Sequence, residues 1–357
     1  MKTGYIEGYY GKQLSFDDRK KLILFLANLG MTHYFYCPKE DSKHRIHWKE
    51  DYAQSFLDDF ASLNQLAKAN NIEIIFGLSP GNDFVFKKDY QILLNKFKQF
   101  IELGVSSICV LFDDLFESNR GNNHKDILNQ LANDLDLVNL YTVPQIYCDQ
   151  LSIKKNIFQD EYLSEFLENL NTRVNIFFTG QRVVSKTYPI EYLNKLKAFI
   201  GDRELLIWDN YFANDYCTPK VHFSDFFGLE DQSQKFIDGM MINATGSIAL
   251  DQIYLKFFAA KFNNSITKEE ILASLNLPRE FFNILHLFEF EITNSSPERD
   301  LENIEGLLWR WNDPLKIEMY TYLHQLRQLL QMMQQDQSQI AILLKRFNFK
   351  RREINER

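Results

Sequence analysis

Short apolar runs alternate with stretches of helical period along most of this chain, and the alternation predicts its architecture. Runs at residues 4–8, 33–37, 72–78, 108–112, 145–148, 174–178, 204–208 and 239–242 have the length and composition of strands. Between them the apolar positions recur every three or four residues. Leu22, Leu26 and Leu29 follow Ser15-Phe-Asp-Asp18, a start resembling a capping box, and stop at Gly30. Further helices are predicted over 55–70, 90–103, 125–141, 161–170, 190–199 and 247–262. Strand–helix alternation implies a parallel sheet, and eight such units over about 250 residues make an α/β fold of the (β/α)8 TIM-barrel type.

Past residue 263 the strand signal ceases. Residues 266–275, 280–290 and 315–347 read as helices, with Pro278 and Pro314 at helix starts. The spacing of Leu323, Leu326 and Leu330 is that of one buried helical face. The expected division is a catalytic barrel over 1–263 and a small all-α domain over 264–357.

The run Ile108-Cys-Val-Leu-Phe112 has no polar break, as in a strand buried on both faces, and it stops on Asp113 and Asp114. Parallel barrels bind ligands beyond the carboxyl ends of their strands. A strand stop or helix N-cap would account for one aspartate; two adjacent ones weigh as much for a site as for that reading, and the rest of the chain decides. At or just past the same ends fall Gly8, Lys39, Tyr147, Thr179, Trp208, Asn210 and Asn243. Taken singly, Trp208 is core packing, Tyr147 a rim residue, Lys39 a surface cation, and the two asparagines turn residues. On one face they suit a neutral, hydroxyl-rich ligand with an apolar side, which describes a sugar. Glycosidases working with two opposed carboxylates hold them about 5–10 Å apart. Acids that are neighbours in the chain favour instead a mechanism in which the sugar's own 2-substituent is the nucleophile.

Composition narrows the partners. Apolar residues are 45% of the 357, with 31 Phe, enough for a large core. A net charge of −8 disfavours nucleic acid, and the basic end, Lys345 to Arg357, reads as a solvated helix face or frayed tail. Cys37, Cys109, Cys148 and Cys217 form no CxxC pair and are expected as reduced thiols. His44-Arg-Ile-His47 lacks the glutamate of a zinc hydrolase, so neither metal nor cofactor is expected. No membrane partner is expected either: no run approaches a membrane span, and no apolar signal core opens the chain, which predicts a cytoplasmic protein.

Six segments, in order across residues 4–250, carry a family resemblance. They are Gly4-Tyr-Ile-Glu-Gly-Tyr-Tyr-Gly11, Tyr36-Cys-Pro-Lys-Glu-Asp-Ser-Lys-His-Arg45, Ser79-Pro-Gly-Asn-Asp83, Leu111-Phe-Asp-Asp-Leu115, Phe178-Thr-Gly-Gln-Arg-Val-Val-Ser-Lys186 and Trp208-Asp-Asn-Tyr-Phe-Ala-Asn-Asp215. Together they resemble glycoside hydrolase family 84, the O-GlcNAcase and β-N-acetylglucosaminidase family. The resemblance implies a retaining exo-β-N-acetylglucosaminidase with an oxazoline intermediate. Asp113 would polarise the 2-acetamido N–H, and Asp114 would serve as general acid and then general base. Tyr147 would bond the acetamido oxygen, and Asn210 would position that group and Asp113. Asp215 and Asn243 would hold O4 and O6, Gly8 and Lys39 the O3 side, while Thr179, Val183 and Trp208 complete the pocket.

The implied partner is a protein carrying β-GlcNAc on Ser or Thr, or else a GlcNAc-containing glycan, with a homodimer through the helical domain. A silent GlcNAc-binding protein is the reading outside enzymes. Cys37 stands where members often have Ala, and the helical region is short and without a clear match.

Overall fold

The computed structural model describes residues 1–81, 83–113, 121–216, 220–224, 226, 228–230, 232–262, 266–334 and 344–349. Eight parallel strands close into a barrel in sequence order: β1 (Lys2–Glu7), β2 (His33–Tyr36), β3 (Glu73–Leu78), β4 (Ser107–Leu111), β5 (Asn139–Val143), β6 (Val174–Phe178), β7 (Leu205–Asp209) and β8 (Gly239–Asn243). Helices α1 (Phe16–Asn28), α2 (Gln54–Ala69), α3 (Phe86–Glu102), α4 (Gly121–Asp134), α5 (Glu161–Leu167) and α6 (Ile190–Ile200) flank it. The TIM-barrel expectation holds.

Local signals set the element ends. Ser15 caps α1 by accepting from the Asp18 N–H at 3.1 Å, and Gly30 beyond its end adopts φ +70°, a conformation open to glycine. Asp89 accepts from the Val85 N–H at 2.8 Å at the start of α3.

One strand is corrected. The sequence reading placed the fifth strand at 145–148 after a helix running to Tyr141, but α4 stops at Asp134 and the strand is Asn139–Val143. Tyr141, Thr142 and Val143 favour extended backbone, and Leu140 to Val143 pair with Ile108 to Leu111 of β4. Pro144 then ends the ladder because it has no N–H and holds its predecessor extended. Tyr147 therefore lies on the loop past β5 rather than within it.

Inward side chains alternate along the strands and fill the barrel: Ile6, Phe35, Ile75, Leu111, Tyr141, Phe177, Leu206 and Met241, with Trp208 uppermost. One charged pair is buried just outside this core. Glu7, fully buried, accepts from Arg19 of α1 at 2.9 Å (Nε) and 2.8 Å (Nη2), and also from the Tyr34 hydroxyl. Removing one partner of a buried ion pair strands the other charge. Arg19→Met is expected to lower unfolding free energy by about 3–5 kcal/mol in urea titrations; a loss within ~1 kcal/mol would mean that the pair is not what holds α1 to the barrel.

The contacts divide the chain into two compact units, residues 1–211 with 227–246, and residues 212–226 with 247–357. The second holds α7 (Ile248–Phe262), α8 (Lys268–Ala273), α9 (Arg279–Asn283), α10 (Pro297–Arg310) and α11 (Pro314–Gln334). A Thr267–Glu270 capping box opens α8. The helix expected over 280–290 is broken at Ile284 into α9 and a 3₁₀ turn at Leu285–Phe288. The sequence reading missed α10, although Ser296-Pro297 with Glu298 and Asp300 is a helix-start signature. Leu323, Leu326 and Leu330 are fully buried on α11, as their spacing predicts, and Phe281 stacks on Phe288 with centroids 4.7 Å apart. No helix among the described residues is long and apolar enough to cross a membrane.

Candidate active site

The carboxyl ends of the strands carry most of the predicted residues that the structure describes. Asp113 follows β4 by two residues and pairs with Nζ of Lys39, which stands on the loop after β2. Both are nearly buried, at 8% and 7% exposure, so this ion pair is screened little by water. Cys37 lies beside them, and burial pushes its thiol well up, so it is an uncharged neighbour. Asp114 lies outside the described residues.

Across the barrel mouth an amide chain joins five other predicted residues. Asn210, one residue past β7, accepts at Oδ1 from Trp208 Nε1 (2.9 Å) and Asn243 Nδ2 (3.0 Å). Its own Nδ2 donates to the Val183 carbonyl at 2.8 Å. Asn243, the last residue of β8, accepts at Oδ1 from the Gly8 N–H at 3.2 Å. These bonds fix which end of each amide is oxygen, and each amide nitrogen has a second N–H beyond the bond described. β1 pairs with β8 through Ile6 and Asn243, which places Gly8 alongside. A side chain at Gly8 would put its Cβ 2.4 Å from the Trp208 ring, so the indole needs glycine there.

Trp208 is 5% exposed and meets Phe35 edge-on, with centroids 5.5 Å apart. Tyr147 is half-buried and packs on the same barrel core. The Thr179 N–H donates to the Tyr147 carbonyl at 3.1 Å, and Cys148 bridges to Gly180, so the loops after β5 and β6 run together. The Thr179 hydroxyl turns away to the Arg182 carbonyl at 2.7 Å, a bond that shapes the loop carrying Val183. Asp215 lies between β7 and β8, in the 212–226 segment of the second compact unit.

Several supporting residues escaped the sequence reading. Asp209 is buried with its carboxyl between the Tyr188 hydroxyl (2.6 Å) and the Tyr211 N–H (2.9 Å). Asp209, the last residue of β7, and Asn210 just past it thus hold the 180–188 loop, Asn210 at Val183 and Asp209 at Tyr188. The Trp-Asp-Asn triplet carried the signal, since strand alternation turns its middle residue away from its neighbours. Burial pushes Asp209 up to about 7, against the lowering effect of its two hydrogen bonds.

Asp209 thus holds its proton more tightly folded than unfolded, where an aspartate titrates near ~4. Its contribution to stability is full below that value and falls as pH rises from about 4 to about 7. Wild type is therefore expected to lose melting temperature relative to Asp209→Asn between pH 5 and pH 8. Parallel curves for the two proteins would place the ionisation elsewhere.

Asp41 was also missed; it accepts from the hydroxyls of Tyr36 (2.8 Å) and Tyr52 (2.7 Å) and anchors the Lys39 loop. No group of three or more His, Cys, Asp or Glu among the described residues is arranged to hold a metal ion.

Comparison with known proteins bears on the family and the fold. The chain is 27% identical over 286 residues to the protein O-GlcNAcases of Mus musculus and Rattus norvegicus, spanning 75% of this chain. It spans 31% of the length of those curated relatives. Among solved structures, that of CpGH84B superposes with a TM-score of 0.78 at 21% identity, over 98% of this chain and 72% of that one. A mutant of the Thermobaculum terrenum O-GlcNAc hydrolase superposes equally well, at 0.78 and 20% identity, over 96% and 84% of the two chains. Residues 3–279 match the model of the β-N-acetylglucosaminidase family. That match covers the whole barrel and most of the chain, and on it the protein belongs to the β-N-acetylglucosaminidase family, glycoside hydrolase family 84.

Proposed function

We propose that this protein is a retaining exo-β-N-acetylglucosaminidase that works by substrate assistance and removes single GlcNAc residues from Ser or Thr of proteins. The observation that carries the reading is the buried ion pair of Asp113 and Lys39 past the carboxyl ends of β4 and β2, the same end of the barrel at which the Asn210 and Asn243 amides are bonded to each other. An ion-paired Asp113 is a carboxylate and accepts a hydrogen bond, as the 2-acetamido N–H requires. Polarised in this way, the acetamido oxygen attacks the anomeric carbon and forms an oxazoline. Asp114, the next residue, protonates the departing oxygen and then deprotonates the water that opens the ring. Each of the two steps inverts the anomeric centre, so the net outcome is retention.

Tyr147 bonds the acetamido oxygen, and the second N–H groups of Asn210 and Asn243 meet substrate oxygens. Trp208 supplies the apolar floor. Gly8, Lys39, Thr179 and Val183 complete the wall. The protein substrate is carried over from the rodent relatives, which are protein O-GlcNAcases. A cytoplasmic site of action accords with the thiols of Cys37, Cys109 and Cys148, all free and buried.

The test is turnover of an aryl β-N-acetylglucosaminide and of a GlcNAc-modified peptide, with the first-formed anomer read by NMR. Release of the β-anomer from both supports the full reading. Release from the aryl glycoside alone keeps the chemistry and moves the substrate to glycans. Binding of an oxazoline mimic without any turnover leaves a GlcNAc-binding protein.

A further inference from the structure

The loop that carries Lys39 runs from residue 37 to residue 53 with neither strand nor α-helix, long for a connection in a barrel. Some of its ties are to the strands beneath it. His44 Nδ1 donates to the Gly77 carbonyl at 3.0 Å, and the Ser79 N–H donates to the His44 carbonyl at 3.0 Å. Burial pushes His44 down to about 3, so the imidazole is neutral and its proton sits on Nδ1. Asp41 draws in the hydroxyls of Tyr36 and Tyr52.

The centre of the loop is filled from elsewhere. Lys96, on α3, sends its ammonium to the carbonyls of Lys43 (2.9 Å), Trp48 (2.6 Å) and Glu50 (2.7 Å). An ammonium has three N–H groups, and these three carbonyls take all of them. The same nitrogen lies 4.8 Å from the centre of the Tyr52 ring, and the residue is only 5% exposed. Burial pushes Lys96 down to about 8, so at pH 7 it keeps its proton. Acidic groups on its field are Asp41, Glu50 and Asp51, opposed by Lys43.

We propose that Lys96 is a positioning residue for the glycosidase reaction: its ammonium braces the 37–53 loop from within and so holds Lys39 against Asp113. The proposal rests on the reading of Asp113 as the group that polarises the acetamido N–H. Three carbonyls converging on one point repel one another and need a cation or several donors between them. An apolar side chain at residue 96 would leave all three unsatisfied in a buried place. The loop would then rearrange to reach water, and Lys39 sits four residues from the nearest of the three carbonyls, at Lys43. Displacing a catalytic partner by about 1 Å can lower a rate by about 10²-fold.

The experiment compares wild type with Lys96→Ala at pH 7, with and without n-propylammonium, which matches the three carbons and ammonium removed and can restore the cation. Amide hydrogen exchange across residues 39–53 reports the brace, and kcat on an aryl β-N-acetylglucosaminide reports its effect on the site. Expected are faster exchange in 39–53, an approximately 10²-fold fall in kcat with a smaller change in KM, and recovery of both with n-propylammonium but not with choline, whose nitrogen carries no N–H. Lys96→Met, which keeps the stem on the Tyr52 ring, is expected to show both losses without rescue, and it serves if the alanine variant does not fold.

Unchanged exchange in 39–53 would overturn the brace. Faster exchange with undiminished kcat would overturn the link to Asp113, as would lost kcat that the amine restores without restoring exchange. A wild type without any turnover would instead sink the glycosidase reading, while the exchange data would still decide whether Lys96 holds the loop.

Discussion

Asp113→Asn is expected to lower kcat about 10²–10⁴-fold, and by similar factors on aryl glycosides and on GlcNAc-peptides. The substitution keeps size and shape but removes the charge that draws the acetamido proton, so the internal nucleophile is no longer activated. Formation of the oxazoline then limits the rate whatever the leaving group is. It also removes the carboxylate charge that pairs with the Lys39 ammonium, which is 7% exposed. A joint Asp113→Asn, Lys39→Met variant separates the two effects: stability returns toward wild type and turnover does not. Turnover of Asp113→Asn within a few-fold of wild type would exclude substrate assistance through this residue.

Asp114→Asn is expected to divide the substrates. A GlcNAc-peptide leaves as a serine or threonine alkoxide and needs a proton in the transition state, so its hydrolysis should fall by about 10²–10⁴-fold. An activated aryl glycoside leaves as a stabilised phenolate and should lose far less in the first step. Loss of general-base help in the second step should then let the intermediate accumulate, read as a burst of phenol and a lowered KM. Azide, a nucleophile that needs no base, should speed breakdown of the intermediate in the variant and not in wild type. Equal losses on both substrates would take the acid role away from Asp114.

Much of this was legible in the chain, because the relevant signals are local. A strand buried on both faces reads as an apolar run, and a helix start reads as Ser15 followed by acids. A parallel barrel places its polar residues just past those runs, which is how Gly8, Lys39, Asp113, Trp208, Asn210 and Asn243 could be named from sequence. The exceptions mark where local preference is weak. Residues 135–143 fit a helix continuing from α4 as well as a strand, and pairing with β4 decided the matter. At α10 a helix start was present and went unread.

What only the tertiary structure decided is which of these residues touch. The Lys39–Asp113 pair spans 74 positions of sequence, and the Gly8–Asn243 bond spans 235. The Lys96 bonds reach back 46 to 53 positions, from α3 into the loop after β2. No periodicity encodes such partners, because each depends on where a closed barrel brings two distant strand ends. The sequence by itself therefore determined the barrel and the inventory of its mouth. The closing of the barrel determined the charges and hydrogen bonds that turn that inventory into a site.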